Sequence, residues 1–240
     1  LSPYDDLIQS NLRRVALLEE AARLIFHEWF VHLRFPNYER VPVVGGVPEG
    51  WKLSPITEAI RFNPKTSVSK DSARPFVGME ALSTHSMMIE AWEERIPGGG
   101  PRFRNGDTLL ARITPCLENG KTGFVQFMAT DEEVATGSTE FIVMRSMSTN
   151  PYWTYLTARS THFRQHAINS MSGADGRQRV NPDCFEMYIT LIPSQKVLDD
   201  FAEVVAPMFR QILVLQRQNS RLRAARDLLL PRLMSGSLEA

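Results

Sequence analysis

Asn105-Gly106-Asp107-Thr108-Leu109-Leu110-Ala111-Arg112-Ile113-Thr114-Pro115-Cys116-Leu117-Glu118-Asn119-Gly120-Lys121-Thr122-Gly123-Phe124-Val125 is the stretch around which the rest of the chain is organised. Asn105-Gly106-Asp107 is turn chemistry, because Gly supplies positive φ and Asn or Asp tolerates it. Thr108 to Ile113 reads as a short buried strand. Thr114-Pro115 ends it, since proline donates nothing to a ladder. Glu118-Asn119-Gly120-Lys121 is a second turn, and Thr122 to Met128 reads as the returning strand. Taken alone, this is a strand-loop-strand unit in a sheet.

Working outward, short β-like runs alternate with turns from Trp51 to Pro193: Pro75 to Met79, Ser86 to Glu90, Glu140 to Met144, and Phe185 to Pro193. Pro97-Gly98-Gly99-Gly100-Pro101 is a loop. One helix is well marked, with Asn150 as N-cap and Pro151 in its first turn. It is expected to run to about Asn169 and to stop at Ser172-Gly173. Tyr152, Leu156, Phe163 and Ala167 make its buried side, with Arg159, His162 and His166 opposite. Gly173 to Arg179 reads as a flexible polar loop.

Both ends of the chain have helical periodicity. From Asp5 to about Phe30, Ile8, Asn11, Val15, Leu18, Ala22, Ile25 and Trp29 alternate spacings of three and four. Leu17 and Leu24 widen that apolar face. The segment closes at Pro36, before a Pro/Gly-rich linker. A helix from near Ser194 carries a second seam of Met208, Ile212, Leu215, Asn219, Leu222, Arg226, Leu229 and Leu233, and Pro207 reads as a break or restart. Docked antiparallel with Asn11 opposite Asn219, the seams set Ile8 against Leu222, Val15 against Leu215, Leu18 against Ile212 and Ala22 against Met208. The two amides satisfy each other, trading stability for a fixed register. The fold class expected is α+β: a mixed globular domain over 36–193, flanked by helical segments 1–35 and 194–240 that pair as an antiparallel coiled coil. Asn11-x-Arg13-x-x-Ala16 also matches Asn219-x-Arg221-x-x-Ala224, a weak internal repeat.

Composition bounds the function. The 240 residues suffice for one core with an appendage, and 43% hydrophobic content is that of a globular protein. Two cysteines, Cys116 and Cys184, give no disulfide framework and fit a reducing cytosol. No apolar run approaches the roughly 20 residues that span a bilayer. Lys+Arg and Asp+Glu balance at 27 each, which argues against a free-standing nucleic-acid binder. The charge is unevenly placed, however. Arg145, Arg159, Arg164, Arg177 and Arg179 gather with His162 and His166 against Asp175 alone, while acid collects at Glu90 to Glu94 and Asp131 to Glu133.

Gly120-Lys121-Thr122 is not a phosphate loop, since Pro115 stands where the first Gly is required and a strand follows. No Gly-x-Gly-x-x-Gly is present. His162 and His166 have metal-like spacing but no third ligand, and read as histidines near a polyanion. Cys116 reads as a small core residue. No carboxylate-lysine set suits a nuclease. DNA-contact candidates are Arg102, Arg104, Lys121, Arg159, Arg164, Arg177, Gln178 and Arg179. Arg pairs bidentately with guanine and Gln with adenine, so Arg177-Gln178-Arg179 is the candidate base reader.

Gly106-Asp107-x-Leu109-Leu110-x-Arg112-Ile113-Thr114-Pro115 followed by Glu118-Asn119-Gly120-Lys121 resembles the target recognition domain of type I restriction-modification specificity subunits. Gly46-Val47-Pro48-Glu49-Gly50-Trp51 resembles the start of such a domain. Asn11 to Trp29 resembles the family's central helical region, and Arg226-Asp227-x-Leu229-Leu230-Pro231-Arg232-Leu233-x-Ser235-Gly236 its C-terminal one. The resemblance implies a non-catalytic module that reads one half of a bipartite duplex DNA target. The rod would set the gap between half-sites and hold modification subunits, with restriction subunits attached through them. S-adenosylmethionine and ATP would belong only to those partners, in the cytoplasm, with base flipping done by the methylating subunit. The same motif occurs in members with different targets, so Arg112 and Lys121 should hold scaffold or phosphate. One recognition domain implies the C-terminal portion of a longer subunit or a half-length subunit forming a homodimer, and Leu1 in place of Met favours the fragment. A coiled-coil adaptor whose globular domain binds protein is the alternative.

Overall fold

Every third or fourth residue of the first segment is apolar, and the segment is helical: α1 spans Ser2–Phe26 and widens into a π-helical turn at His27–Val31. The computed structural model describes residues 2–68, 72–174 and 176–234, the side chains of 230 and 232–234 excepted. After a hairpin of β1 (Val43–Val44) and β2 (Val47–Pro48) come β3 (Lys52–Pro55), β4 (Ile60–Phe62), β5 (Arg74–Val77), β6 (Glu93–Arg95) and β7 (Arg102–Phe103). Then follow β8 (Thr108–Ala111), β9 (Thr122–Phe124), β10 (Ala135–Gly137) and β11 (Phe141–Ser146). Helices α2 (Pro151–Arg159) and α3 (Thr161–Asn169), strand β12 (Ile189–Ile192) and helix α4 (Gln195–Met234) complete the order.

The opening stretch forms the expected β8–turn–β9 pair, in a four-stranded antiparallel sheet ordered β4-β11-β8-β9. Its turn chemistry is visible atom by atom. Gly106 has φ +86°, Asp107 Oδ2 accepts the Arg104 N–H at 2.9 Å, and the Asn105 amide donates to the Met128 carbonyl at 3.1 Å. A second sheet is ordered β6-β5-β10-β7, with β5 and β10 parallel. Strands β3 and β12 form an antiparallel pair.

Helices α1 and α4 run side by side in opposite directions. Asn11 Nδ2 lies 2.9 Å from Asn219 Oδ1, and Arg226 Nη1 lies 2.6 Å from Asp5 Oδ1, which places both pairs on one antiparallel register. Ile8, Asn11, Val15, Ala22, Ile212, Leu215 and Asn219 are buried, with Leu18 and Leu222 partly so. Leu233, at the end of the expected seam, lies outside the described side chains, as Ser235 and Gly236 lie outside the described residues. The rod shares its base with the domain: Ala22, Phe26, Phe201, Val205 and Phe209 join Trp153, Leu156 and Phe163 in one core.

Several local expectations fail for identifiable reasons. Leu17 and Leu24 do not widen the buried face but are 64% and 51% exposed, because the domain packs on the flank of α1 that carries Glu19 and Phe26. Pro207 neither breaks nor restarts α4. Burial of Phe201, Val205 and Phe209 around it outweighs the roughly 3 kcal/mol that a helical proline costs. The helix after Asn150 is two helices. Asn150 caps the first, accepting the Trp153 N–H, but Ser160 is extended (ψ 146°) and caps the second, accepting the Phe163 N–H. Ser86 to Glu90 is not a strand; only a single bridge, Leu82 with Ile89, occurs there. Phe185 begins no strand either, since Pro182–Met187 is a 3-10 turn. The two buried amides do not reciprocate: Asn11 is shared between Asn219 and Gln218, and Asn219 Nδ2 has no partner among the described residues. Cys116 is half-buried in the turn rather than in the core.

Candidate nucleic-acid interface

The extended backbone of Arg112 to Thr114 leaves the end of β8 and needs partners for its polar groups. It finds them in the segment after α3. Thr114 N–H donates to the Gln178 carbonyl at 3.1 Å, and Val180 N–H donates to the Arg112 carbonyl at 2.9 Å. Ser172 and Arg179 exchange two further backbone bonds of 2.9 and 3.1 Å. The Arg179 guanidinium grips Glu140 through Nε and Nη2, the latter at 2.7 Å, and this holds the Glu140 carboxyl below the usual carboxylate range. The segment read as a flexible loop is therefore pinned at 178–180 to the motif itself. Asp175 lies outside the described residues.

This arrangement sorts the candidates. Arg177 is exposed at the tip, and Gln178 beside it is half-buried. Arg179 is engaged by Glu140. Arg159, expected on the open side of its helix, turns inward and donates through Nη1 to the carbonyls of Thr84 (3.1 Å) and Gly120 (2.9 Å). Lys121 Nζ donates to the Met79 carbonyl at 2.9 Å. Gly120, at φ +78°, leaves room for Arg164, whose Nη1 would stand 2.7 Å from any added Cβ. Arg164 and Arg177 thus share the turn end of the β4-β11-β8-β9 sheet. Arg104 is exposed and lines a recess with Asn105, Gly106 and Arg210. Arg102 lies on the other sheet, its Nη1 on the Thr66 carbonyl at 3.0 Å. His162 is exposed. His166, also expected on the open side, has Nε2 2.9 Å from the Cys184 carbonyl and packs on Tyr188. Arg145, counted with the local basic excess, is spent inside: it forms a two-point ion pair with Asp107 at 2.7 and 2.6 Å, the carboxylate side chain only 1% exposed.

A feature the sequence did not disclose positions this interface on the rod. The segment 83–89 covers the free edge of β9, where Phe124 N–H donates to the Met87 carbonyl at 2.9 Å. Both rod helices hold it. Glu19 accepts from Ser86 Oγ (2.6 Å) and Met87 N–H (3.0 Å), and Gln216 donates to the Ile89 carbonyl at 2.6 Å. Burial pushes the Glu19 carboxyl above its usual range, although these bonds oppose the shift. No spacing pattern links Glu19 to Ser86, because the contact is between segments far apart in the chain. Among the described residues no group of three or more His, Cys, Asp or Glu side chains could hold a metal ion. No helix of the described residues is long and apolar enough to cross a membrane.

No protein-family model matches the chain. The chain is similar to the type I restriction enzyme EcoEI specificity subunit of Escherichia coli, with 35% identity over 150 residues, 59% of this chain and 25% of that protein. It is also similar to the type I restriction enzyme MjaIX specificity subunit of Methanocaldococcus jannaschii, with 25% identity over 99% of this chain and 57% of that one. The chain thus spans between a quarter and just over half of the curated relatives it matches. Among solved structures, the S subunit of a type I restriction-modification system from M. genitalium superposes with a TM-score of 0.58 at 11% identity, covering 97% of this chain and 58% of that one. The HsdS subunit from Thermoanaerobacter tengcongensis gives 0.50 at 12% identity, covering 99% and 55%. The homologues are specificity subunits, and the fold is theirs, with long first and last helices beside a mixed domain.

Proposed function

We propose that this chain, whose curated homologues are specificity subunits of type I restriction enzymes, is a DNA-recognition module reading one half of a bipartite duplex target. The observation that supports the reading most directly is the pinning of Gln178, Arg179 and Val180 to Arg112, Ile113 and Thr114, with Arg177 in the turn directly before them. A turn that is free in space pays ordering entropy on binding, whereas a turn held by strand-like bonds presents its side chains preorganised. Arg177 and Gln178 are the two side-chain types that make bidentate bonds to guanine and adenine in the major groove. Arg164 and Arg104 carry charge for phosphates, which set register without reading sequence. Lys121, Arg159 and Arg179 serve the scaffold.

The module is non-catalytic in this reading. Methyl transfer, S-adenosylmethionine and ATP belong to modification and restriction subunits, and the α1–α4 rod is where modification subunits dock, in the cytoplasm alongside the DNA. The adaptor alternative is not favoured, because the homologues are specificity subunits.

The test is selection of bound duplexes from a random pool, followed by salt titration of the winner. A short enriched half-site, with affinity falling steeply as salt rises, is expected. Weak binding that salt does not change overturns the reading. Enrichment that survives Arg177→Ala removes that residue as a reader.

A further inference from the structure

The function proposed above leaves the outward side of the second sheet without a role. Register places Glu93, Phe76, Thr136 and Arg102 in one row across β6, β5, β10 and β7, with Arg74 opposite Arg95 beside it. The alternate positions Val77, Ala135 and Phe103 are fully buried in the core beneath. Side chains alternate across a strand, so the Arg-bearing set faces away from that core. Arg95 sits 4.0 Å above the Phe76 ring and is paired with Glu93. Arg102 uses one N–H on Thr66, which leaves the rest of its five-donor fork. Among the described residues Arg74 Nε is buried without a partner. Among the described residues, three guanidinium groups against one facing carboxylate leave this side positive.

Beside them lies a recess of about 310 Å³ lined by Phe76, Gly98, Gly99, Gly100 and Thr136 to Thr139. Thr136 is 2% exposed, and its hydroxyl has no partner among the described residues. The glycines divide into two kinds. A Cβ on Gly100 would stand 2.1 Å from the Gly137 carbonyl, so Gly100 is required for the loop to approach the sheet. A Cβ on Gly98 or Gly99 would meet nothing within 4 Å, so packing does not explain them. Bare backbone there leaves room for a ligand to approach closely. Buried donors without acceptors are costly and rare. A guanidinium Nε–H and a hydroxyl waiting at one positive face call for an acceptor-rich anion. The forked geometry of Arg suits a phosphodiester.

We propose that the outward face of the β6-β5-β10-β7 sheet, with Arg74, Arg95, Arg102, Thr136 and the Gly98–Gly100 loop, is a second DNA-contact surface that grips the phosphate backbone of the duplex. It rests on the DNA-recognition reading and adds to it a contact that holds but does not read. A sheet face lined by guanidinium groups neutralises phosphates, and such contacts change affinity equally for all sequences.

The experiment is fluorescence anisotropy of the full chain with a fluorescein-labelled mixed-sequence duplex over a salt series, with thermal melts confirming that each variant is folded. Removing a phosphate contact lowers the slope of log affinity against log salt by about 0.9. The triple variant Arg74→Gln/Arg95→Gln/Arg102→Gln is expected to lose about 2 to 3 from the slope, while the half-site it selects from a random pool stays the same. Gly99→Asp guards against a triple variant that does not fold. It enters open space, and its charge is expected to weaken duplex binding about tenfold at low salt. A wild-type slope in the folded triple variant, or unchanged affinity in Gly99→Asp, overturns the second surface and leaves the first intact if Arg177→Ala still loses affinity. No salt-dependent binding by the wild-type chain overturns both.

Discussion

Asn11 donates to Asn219 at 2.9 Å across the rod, and the amide of Asn219 donates to no group among the described residues. The bond is one-way, in a seam where both residues are almost completely buried. Such a pair contributes less to stability than two leucines would, and its use is register. Asn11→Leu alone takes away the bond that Asn219 makes and is expected to cost about 1–3 kcal/mol. Asn11→Leu with Asn219→Leu is expected to be more stable than the wild type in urea, with a broader distribution of distances between spin labels placed on α1 and α4. A double variant less stable than either single one contradicts this.

The ion pair of Asp107 with Arg145 is the anchor beneath the Asn105-Gly106-Asp107 turn. With the carboxylate 1% and the guanidinium 17% exposed, solvent does little to screen it. Asp107→Ala leaves a buried guanidinium unpaired and is expected to destabilise by about 3–5 kcal/mol. Asp107→Leu with Arg145→Met should recover most of that loss in equilibrium denaturation. If the double variant is as unstable as Asp107→Ala, the loss comes from the turn and not from the stranded charge.

Glu19 makes the grip of the rod on the segment 83–89 sensitive to pH. Burial raises its carboxyl above the usual range, so the folded chain keeps this proton at pH values where the unfolded chain has released it. Its contribution to stability therefore falls as pH rises from the usual carboxylate range through the raised value, and levels off above it. Glu19→Gln keeps an acceptor for Ser86 and Met87 and removes the titration. Stability measured against pH should lose that downward step in the variant. Parallel profiles for the two proteins would exclude Glu19 as its source.

Glu140 has the opposite sign. The Arg179 bonds lower its carboxyl, so its contribution is present above the usual range and is lost as pH falls through the lowered value. Arg179→Ala should return the Glu140 titration, followed by NMR, to the usual range and loosen the turn that carries Arg177. Arg177→Ala should leave both the titration and the melting temperature unchanged while lowering the salt slope of duplex binding by about 0.9. Equal effects of the two variants on Glu140 would refute the division of labour between pin and reader.

The seam spacing, the Asn150-Pro151 helix start and the Asn105-Gly106-Asp107 turn were all legible because each is a local rule. A heptad period implies a paired helix, and an N-cap or a positive-φ glycine acts within a few residues of itself. The roles of the arginines were not legible. Arg159, Arg177 and Arg179 have the same side chain within some twenty positions of one another, yet one holds carbonyls of Thr84 and Gly120, one points outward, and one is closed on Glu140. Ser160 interrupts its helix, and Ser86 to Glu90 forms no strand, through contacts made outside their own windows. The amino-acid sequence by itself determined the rod, its antiparallel register and the strand-turn-strand at the centre, because those follow from periodicity and backbone preference. Only the tertiary structure decided which cations stay free for a partner, because a guanidinium is claimed by whichever acceptor the folded chain brings within about 3 Å of it, and those acceptors come from remote segments.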